Sequence, residues 1–287
     1  MLKTNYASSQ DSVAGFTWEP VISIFSGADE ELIARIGDDS RAVLKYMIID
    51  KDNPNSIINL VTLARENARS VQEHIPKDLW QCLNEYYHTT KEPRIVNGLK
   101  KDDPIGVLDI LIKEVMLYYG TAEITMERGQ ARSFMNIGKY LERAIQSIDI
   151  LDVKFGPINN NPDLLLDITY WKHLLLSIGG YELYQKTYRD GLEAHNVIEQ
   201  VILNNDFPRS VIYSVNNIQR YFDRLKNNSN VNDYREISFQ IGKLQSNIKY
   251  SSVKSISQMG LHEYLTSLRE DLYRIGNSLN EYYFANS

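Results

Sequence analysis

Apolar residues recur at spacings of three and four along most of this chain, the period of an amphipathic helix. No stretch alternates apolar and polar positions long enough to make a half-buried strand. The period predicts helices over about 40–50, 54–74, 77–89, 104–126, 130–153, 162–188, 190–204, 208–226, 232–249 and 257–284. Prolines punctuate the starts. Asp52-Asn53-Pro54, Ile75-Pro76, Asp103-Pro104, Asn161-Pro162 and Phe207-Pro208 read as caps followed by a proline in the first turn, where its missing N–H costs nothing. The stretches 91–103 and 154–161 read as bends. The fold class is all-α, a helical bundle.

Two segments resemble each other. Trp18-Glu19-Pro20-Val21-Ile22 runs on to Asp52-Asn53-Pro54-Asn55-Ser56-Ile57, and Trp171-Lys172-His173-Leu174-Leu175 runs on to Asp206-Phe207-Pro208-Arg209-Ser210-Val211. The spacing is 153 residues at the tryptophans and 154 at the prolines, so one gap aligns them. The bundle is therefore expected to be built from two related helical units, about 18–74 and 171–226, inside one domain over 18–284. Residues 1–17 read as a polar N-terminal segment.

Polar side chains on apolar faces give the candidate site. On the helix after Pro54, Arg65 falls between Ile58 and Val61, Asn67 falls between Leu60 and Leu63, Glu66 points away, and Arg69 follows one turn beyond Arg65. A buried guanidinium keeps its charge and needs a carboxylate. On the helix from Arg132 to Asp152, Phe134, Ile137, Leu141, Ala144, Ile145, Ile148 and Leu151 make the apolar face. Glu142 and Asp149 run along its border, Arg143 follows Glu142, and Gly138 leaves room for another backbone. The economical pairing sets Arg65 and Arg69 against Glu142 and Asp149. It is either a structural ion-pair seam or a polar pocket for a small ligand or a reaction.

Composition narrows the partners. The 287 residues carry a net charge of −6, which gives no general attraction to nucleic acid or anionic lipid. With Cys82 as the one cysteine there is no intramolecular disulfide and no cysteine-based zinc site. No secretion signal and no apolar run of bilayer length is visible, so the expectation is a cytoplasmic protein outside the membrane. Glu85-x-x-His88 has di-iron ligand spacing but no second copy, and no Gly-rich phosphate loop appears. No metal or cofactor is expected.

Asn53-Pro54-Asn55-Ser56-Ile57, Ala64-Arg65-Glu66-Asn67-Ala68-Arg69-Ser70-Val71 and Trp80 through Asn84 to Tyr87 resemble the signature of the bacterial alpha-E family. Thr125-Met126, Arg128, Phe134, Gly138 and Tyr140-Leu141-Glu142-Arg143-Ala144 resemble its second block. Asp206-Phe207-Pro208-Arg209-Ser210-Val211 resembles its third and Tyr282-Tyr283-Phe284 its end. The resemblance implies an all-helical domain without an established activity. It also implies association with circularly permuted ATP-grasp and transglutaminase-like proteins, in peptide or amide-bond synthesis and processing. On that basis the chain is expected to be a non-catalytic partner or scaffold. The alternative is an enzyme or ligand-binding protein using the Arg65, Glu66, Asn67, Arg69, Glu142, Arg143 and Asp149 cluster.

The family's usual first helix, with its Tyr-Leu-Glu-Arg-Ala-like block, is missing ahead of Trp18. The expectation is a groove exposing Trp18 and Ile22, and self-association or partner binding through the N-terminal unit.

Overall fold

The computed structural model describes residues 1–284 apart from 11–15, 27–28, 101–102, 157–167, 190 and 229–230. Among the described residues there are sixteen α-helices and no strand. The chain separates into two compact units, Met1–Glu127 and Arg128–Ser287.

Unit 1 holds α1 (Leu2–Gln10), α2 (Glu19–Ser26), α3 (Glu30–Ile36), α4 (Ser40–Ile49), α5 (Ile57–Ser70), α6 (Lys77–Thr90), α7 (Pro93–Lys100) and α8 (Pro104–Thr125). α6 packs on both α5 and α8, while α7 bridges α4 and α8. Trp18, Ile22, Val43, Leu44, Ile48, Ile95 and Leu108 share one apolar core. Burial of each such side chain stabilises by roughly 1.5–3 kcal/mol.

Unit 2 holds α9 (Gln130–Phe155), α10 (Ile168–Ser177), α11 (Tyr181–Thr187), α12 (Ala194–Ile202), α13 (Val211–Phe222), α14 (Val231–Lys249), α15 (Val253–Met259) and α16 (Leu261–Tyr283). α14 packs on α13 and α16 as α6 packs on α5 and α8. α15 bridges α12 and α16 as α7 bridges α4 and α8. A short 3₁₀ segment follows α5 and α13 alike. The largest difference lies in the leading helix: α9 has 26 residues and lies along α13 and α16, whereas α1 has 9 and rests on α4 and α8.

The aligned prolines sit in one kind of turn. Ser56 N–H donates to Asn53 O (3.0 Å) and Ser210 N–H to Phe207 O (2.9 Å), which puts each proline second in a four-residue turn. Helix α5 then starts behind Ser56 and α13 behind Ser210, whose hydroxyl accepts from Tyr213 N–H (3.0 Å). Pro54 and Pro208 thus lie ahead of the cap, and only Asp103-Pro104 has the expected geometry, with the Asp103 carboxylate accepting from Gly106 N–H. Pro76 is itself the N-cap residue of α6, and Asn161-Pro162 lies outside the described residues.

Other expectations are corrected. The helix read over 162–188 is two, α10 and α11, broken where Gly179 turns to φ +66°. The one read over 257–284 is broken at Gly260, φ +98°. The bend over 91–103 contains α7. Residues 2–10, expected to be a plain polar segment, form a helix. Trp18 and Ile22 are buried, not exposed: Trp18 Nε1 donates to Ser40 Oγ (2.9 Å), which donates to Ser9 Oγ of α1 (2.9 Å).

Gly180 is tightly enclosed. Its carbonyl accepts from buried Gln200 Nε2 (2.7 Å), and a Cβ added to it would meet that nitrogen at 2.7 Å and the Phe207 ring at 2.9 Å. Gly180→Ala is therefore expected to lose about 1–3 kcal/mol, read from the urea midpoint of the variant.

Candidate functional site

Arg65 is placed by α5 against α6. Its Nε donates to Asn84 Oδ1 (2.8 Å) and its Nη1 to Glu66 Oε1 (2.6 Å). The guanidinium also lies over the rings of Tyr87 (4.6 Å) and Trp80 (5.6 Å). Lys91 adds a contact to the Tyr87 hydroxyl, and Arg69 lies 3.8 Å from the far oxygen of Glu66. The carboxylate sought for Arg65 is thus supplied by the next residue. The guanidinium can reach it because it sits at the rim of the core, partly exposed, rather than inside it. Asn67 is exposed and adds no contact to the group.

In unit 2, Arg143 and Ser147 on α9 grip the proline turn. Arg143 Nη1 donates to Pro208 O (3.1 Å) and Ser147 Oγ to Arg209 O (2.7 Å). Arg143 lies over the Tyr140 ring (5.3 Å), and Tyr140 meets Tyr213 and Tyr221 at 6.1 Å each. Glu142 faces away, exposed, accepting from Gln146 Nε2 (2.8 Å). Gly138 faces open space, so no backbone approaches it closely.

Asp149 meets a partner the sequence reading missed. Arg269 on α16 donates through Nε to Asp149 (2.8 Å) and through Nη2 to Asp152 (3.0 Å), and Asp152 also faces His262 Nδ1 (2.7 Å). Burial raises the Asp149 pKa, with Arg269 opposing and Asp152 and Glu142 adding to the rise. The predicted residues thus form separate groups: Arg65, Glu66 and Arg69 in unit 1, Arg143 with the turn, and Asp149 with Arg269 and Asp152. A shared face is readable in one helix, but α16 lies 120 residues downstream of Asp149 with no local signal linking the two. A cleft of about 420 Å³ beside α4 and α7 is lined by Asp39, Arg41, Lys45, Val96, Leu99 and Lys100; the sequence carries no sign of it, since 91–103 reads as a bend. No group of three or more His, Cys, Asp or Glu side chains stands close enough to hold a metal ion among the described residues.

A family described as an alpha-helical domain with a conserved ER motif matches residues 1–284. This chain belongs to the Alpha-E family. No curated protein and no solved structure matches it. Of its two Glu-Arg pairs, residues 127–128 follow α8 and residues 142–143 lie within α9. In the Alpha-E protein the arginine of the second pair fastens the leading helix of unit 2 to the turn that starts α13. No described helix is long and apolar enough to cross a membrane.

Buried and half-buried tyrosines give this fold an alkaline limit. Burial pushes Tyr86, Tyr140, Tyr170 and Tyr188 each up to about 12. A phenol ionises at about 10 when unfolded, so the folded state holds these protons more tightly. Their contribution is complete below pH about 10 and disappears as pH rises towards about 12. Helical circular dichroism and 295 nm absorbance should change together in that window. Full tyrosinate absorbance with unchanged helicity would contradict the burial described.

Proposed function

We propose that this Alpha-E protein is a non-catalytic partner or scaffold in an ATP-grasp-linked system for peptide or amide-bond synthesis or processing. The observation that supports the reading is the broad apolar surface of unit 1, where Leu60, Leu63, Ile112, Val115, Met116 and Tyr119 are exposed. Monomers rarely expose a contiguous apolar patch of more than a few hundred Å² without a binding role. The arginines of the candidate site serve packing in this reading: Arg143 holds a backbone carbonyl and Arg269 joins two carboxylates between helices. The partner is an ATP-grasp-type or transglutaminase-like protein, met away from nucleic acid and membrane, in the bacterial cytoplasm. Self-association through unit 1 is the competing use of the same surface.

The test is reconstitution. The chain mixed with an ATP-grasp protein encoded beside it should co-elute with it and alter its ligation rate, while showing no turnover alone. Turnover by this chain alone, lost in Glu142→Gln with folding intact, would overturn the reading and favour an enzyme using the Arg/Glu residues.

A further inference from the structure

Unit 2 has a bundle with four sides, one of them filled by α9; unit 1 keeps the other three, in α5, α6 and α8. In unit 2, α9 runs antiparallel to α16. Phe134 near its start meets the rings of Tyr283 and Phe284 at 5.1 Å, and Asp152 near its end meets Arg269 and His262. Along α13 and α16 the positions Ser214 and Leu272 are 0% and 1% exposed. Their counterparts in unit 1, Leu60 on α5 and Val115 on α8, are 48% and 37% exposed. Ala64, the counterpart of fully buried Ile218, is exposed as well. Ile112, Val115 and Tyr119 form one stripe along α8 at helical spacing, and Leu60 and Ala64 form another along α5.

Helix α1 takes one end of this slot. Lys3 pairs with Asp109 of α8 (2.6 Å), near the level where Asp149 and Asp152 of α9 pair with Arg269 of α16. At about 1.5 Å per residue, α1 spans about 13 Å and α9 about 39 Å, which leaves roughly 25 Å of slot that no described residue covers. One further feature suits a docked helix. The Pro54-Asn55-Ser56 turn repeats the backbone of the turn whose Pro208 and Arg209 carbonyls take Arg143 and Ser147.

We propose that this slot docks an amphipathic helix supplied by a partner protein, seated antiparallel to α8 as α9 is seated on α16. Its chemistry follows from the walls. About 17 residues fill the open length. Apolar side chains at i, i+3/i+4, i+7 and i+11 face α5 and α8, and a flanking arginine reaches the Pro54 carbonyl. The proposal rests on the scaffold reading only in taking the docked group to be protein.

The experiment uses the full chain and, as probe, a fluorescein-labelled peptide of residues 130–148 of this sequence, the open-slot portion of α9. Fluorescence anisotropy should show saturable binding of one peptide per chain. Arg143→Ala in the peptide should weaken it by about fivefold, the loss of one solvent-exposed hydrogen bond. Leu60→Arg and Val115→Arg in the protein change exposed positions, so helicity should be kept while binding falls at least about tenfold; Leu117→Arg, on another side of α8, should leave binding unchanged. Two results would overturn the proposal: no binding at the highest soluble concentration, or binding that Leu60→Arg and Val115→Arg leave intact. Light scattering that finds a dimer, dispersed by those two substitutions, would also overturn it by giving the slot to a second copy. None of these results depends on turnover, so each is separable from failure of the scaffold reading.

Discussion

Phe155→Ala should remove about 3–5 kcal/mol from unit 2. Phe155 ends α9, is fully buried, and tilts against the Trp171 ring at 4.7 Å. Trp171 in turn meets Tyr170, whose hydroxyl donates to Lys154 O (2.6 Å). The ring therefore ties the end of the longest helix to the start of α10. Truncation leaves a cavity that a close-packed core relaxes into only partly, so the loss exceeds simple transfer of the ring to water. Hydrogen exchange in α9 and α12 would read the change locally. A loss below about 1 kcal/mol would mean that Phe155 is not packed as described.

The second large effect is expected at Arg269. Arg269→Met keeps the stem but leaves Asp149 and Asp152 facing each other, with side chains 26% and 13% exposed. Removing one partner of a well-buried pair costs about 3–5 kcal/mol, and with this remaining solvent access about 2–3 is expected near neutral pH. The pH dependence has a definite sign. Asp149 already has a raised pKa, so the folded state takes up its proton more readily than the unfolded chain does. Its contribution is complete below the ordinary carboxylate range and is lost as pH rises through its raised value. Losing Arg269 raises that pKa further, so the gap between variant and wild type should close as pH falls towards 4. Urea midpoints at pH 7 and pH 4 measure it; a gap that widens on acidification would contradict the pairing.

The helices were legible where they are long and one-sided. α6, α8 and α9 carry a sustained period, so their ends were read to within two residues. α1, α2, α3 and α7 were not, because each has nine residues or fewer, below what a period can establish. The proline turns misled in a specific way. Asn53-Pro54-Asn55-Ser56 and Phe207-Pro208-Arg209-Ser210 share a serine two residues after proline, and that serine is the cap. At the site, the border position of Asp149 was readable from the wheel, but its arginine came from a helix 120 residues downstream. A helical wheel pairs Arg65 with a distant carboxylate because a face diagram ignores reach. A long guanidinium at a core rim can turn back to its neighbour Glu66 and still stack on Tyr87.

The central structural claim is that one side of the bundle is filled in unit 2 and open in unit 1. Labelling of one introduced cysteine per chain compares the two directly, since the native Cys82 is buried and reacts slowly. With Val115→Cys and Leu272→Cys in otherwise unchanged chains, a maleimide should label position 115 at close to the rate of a free thiol and position 272 at least about tenfold more slowly. Equal rates at the two positions would contradict the account.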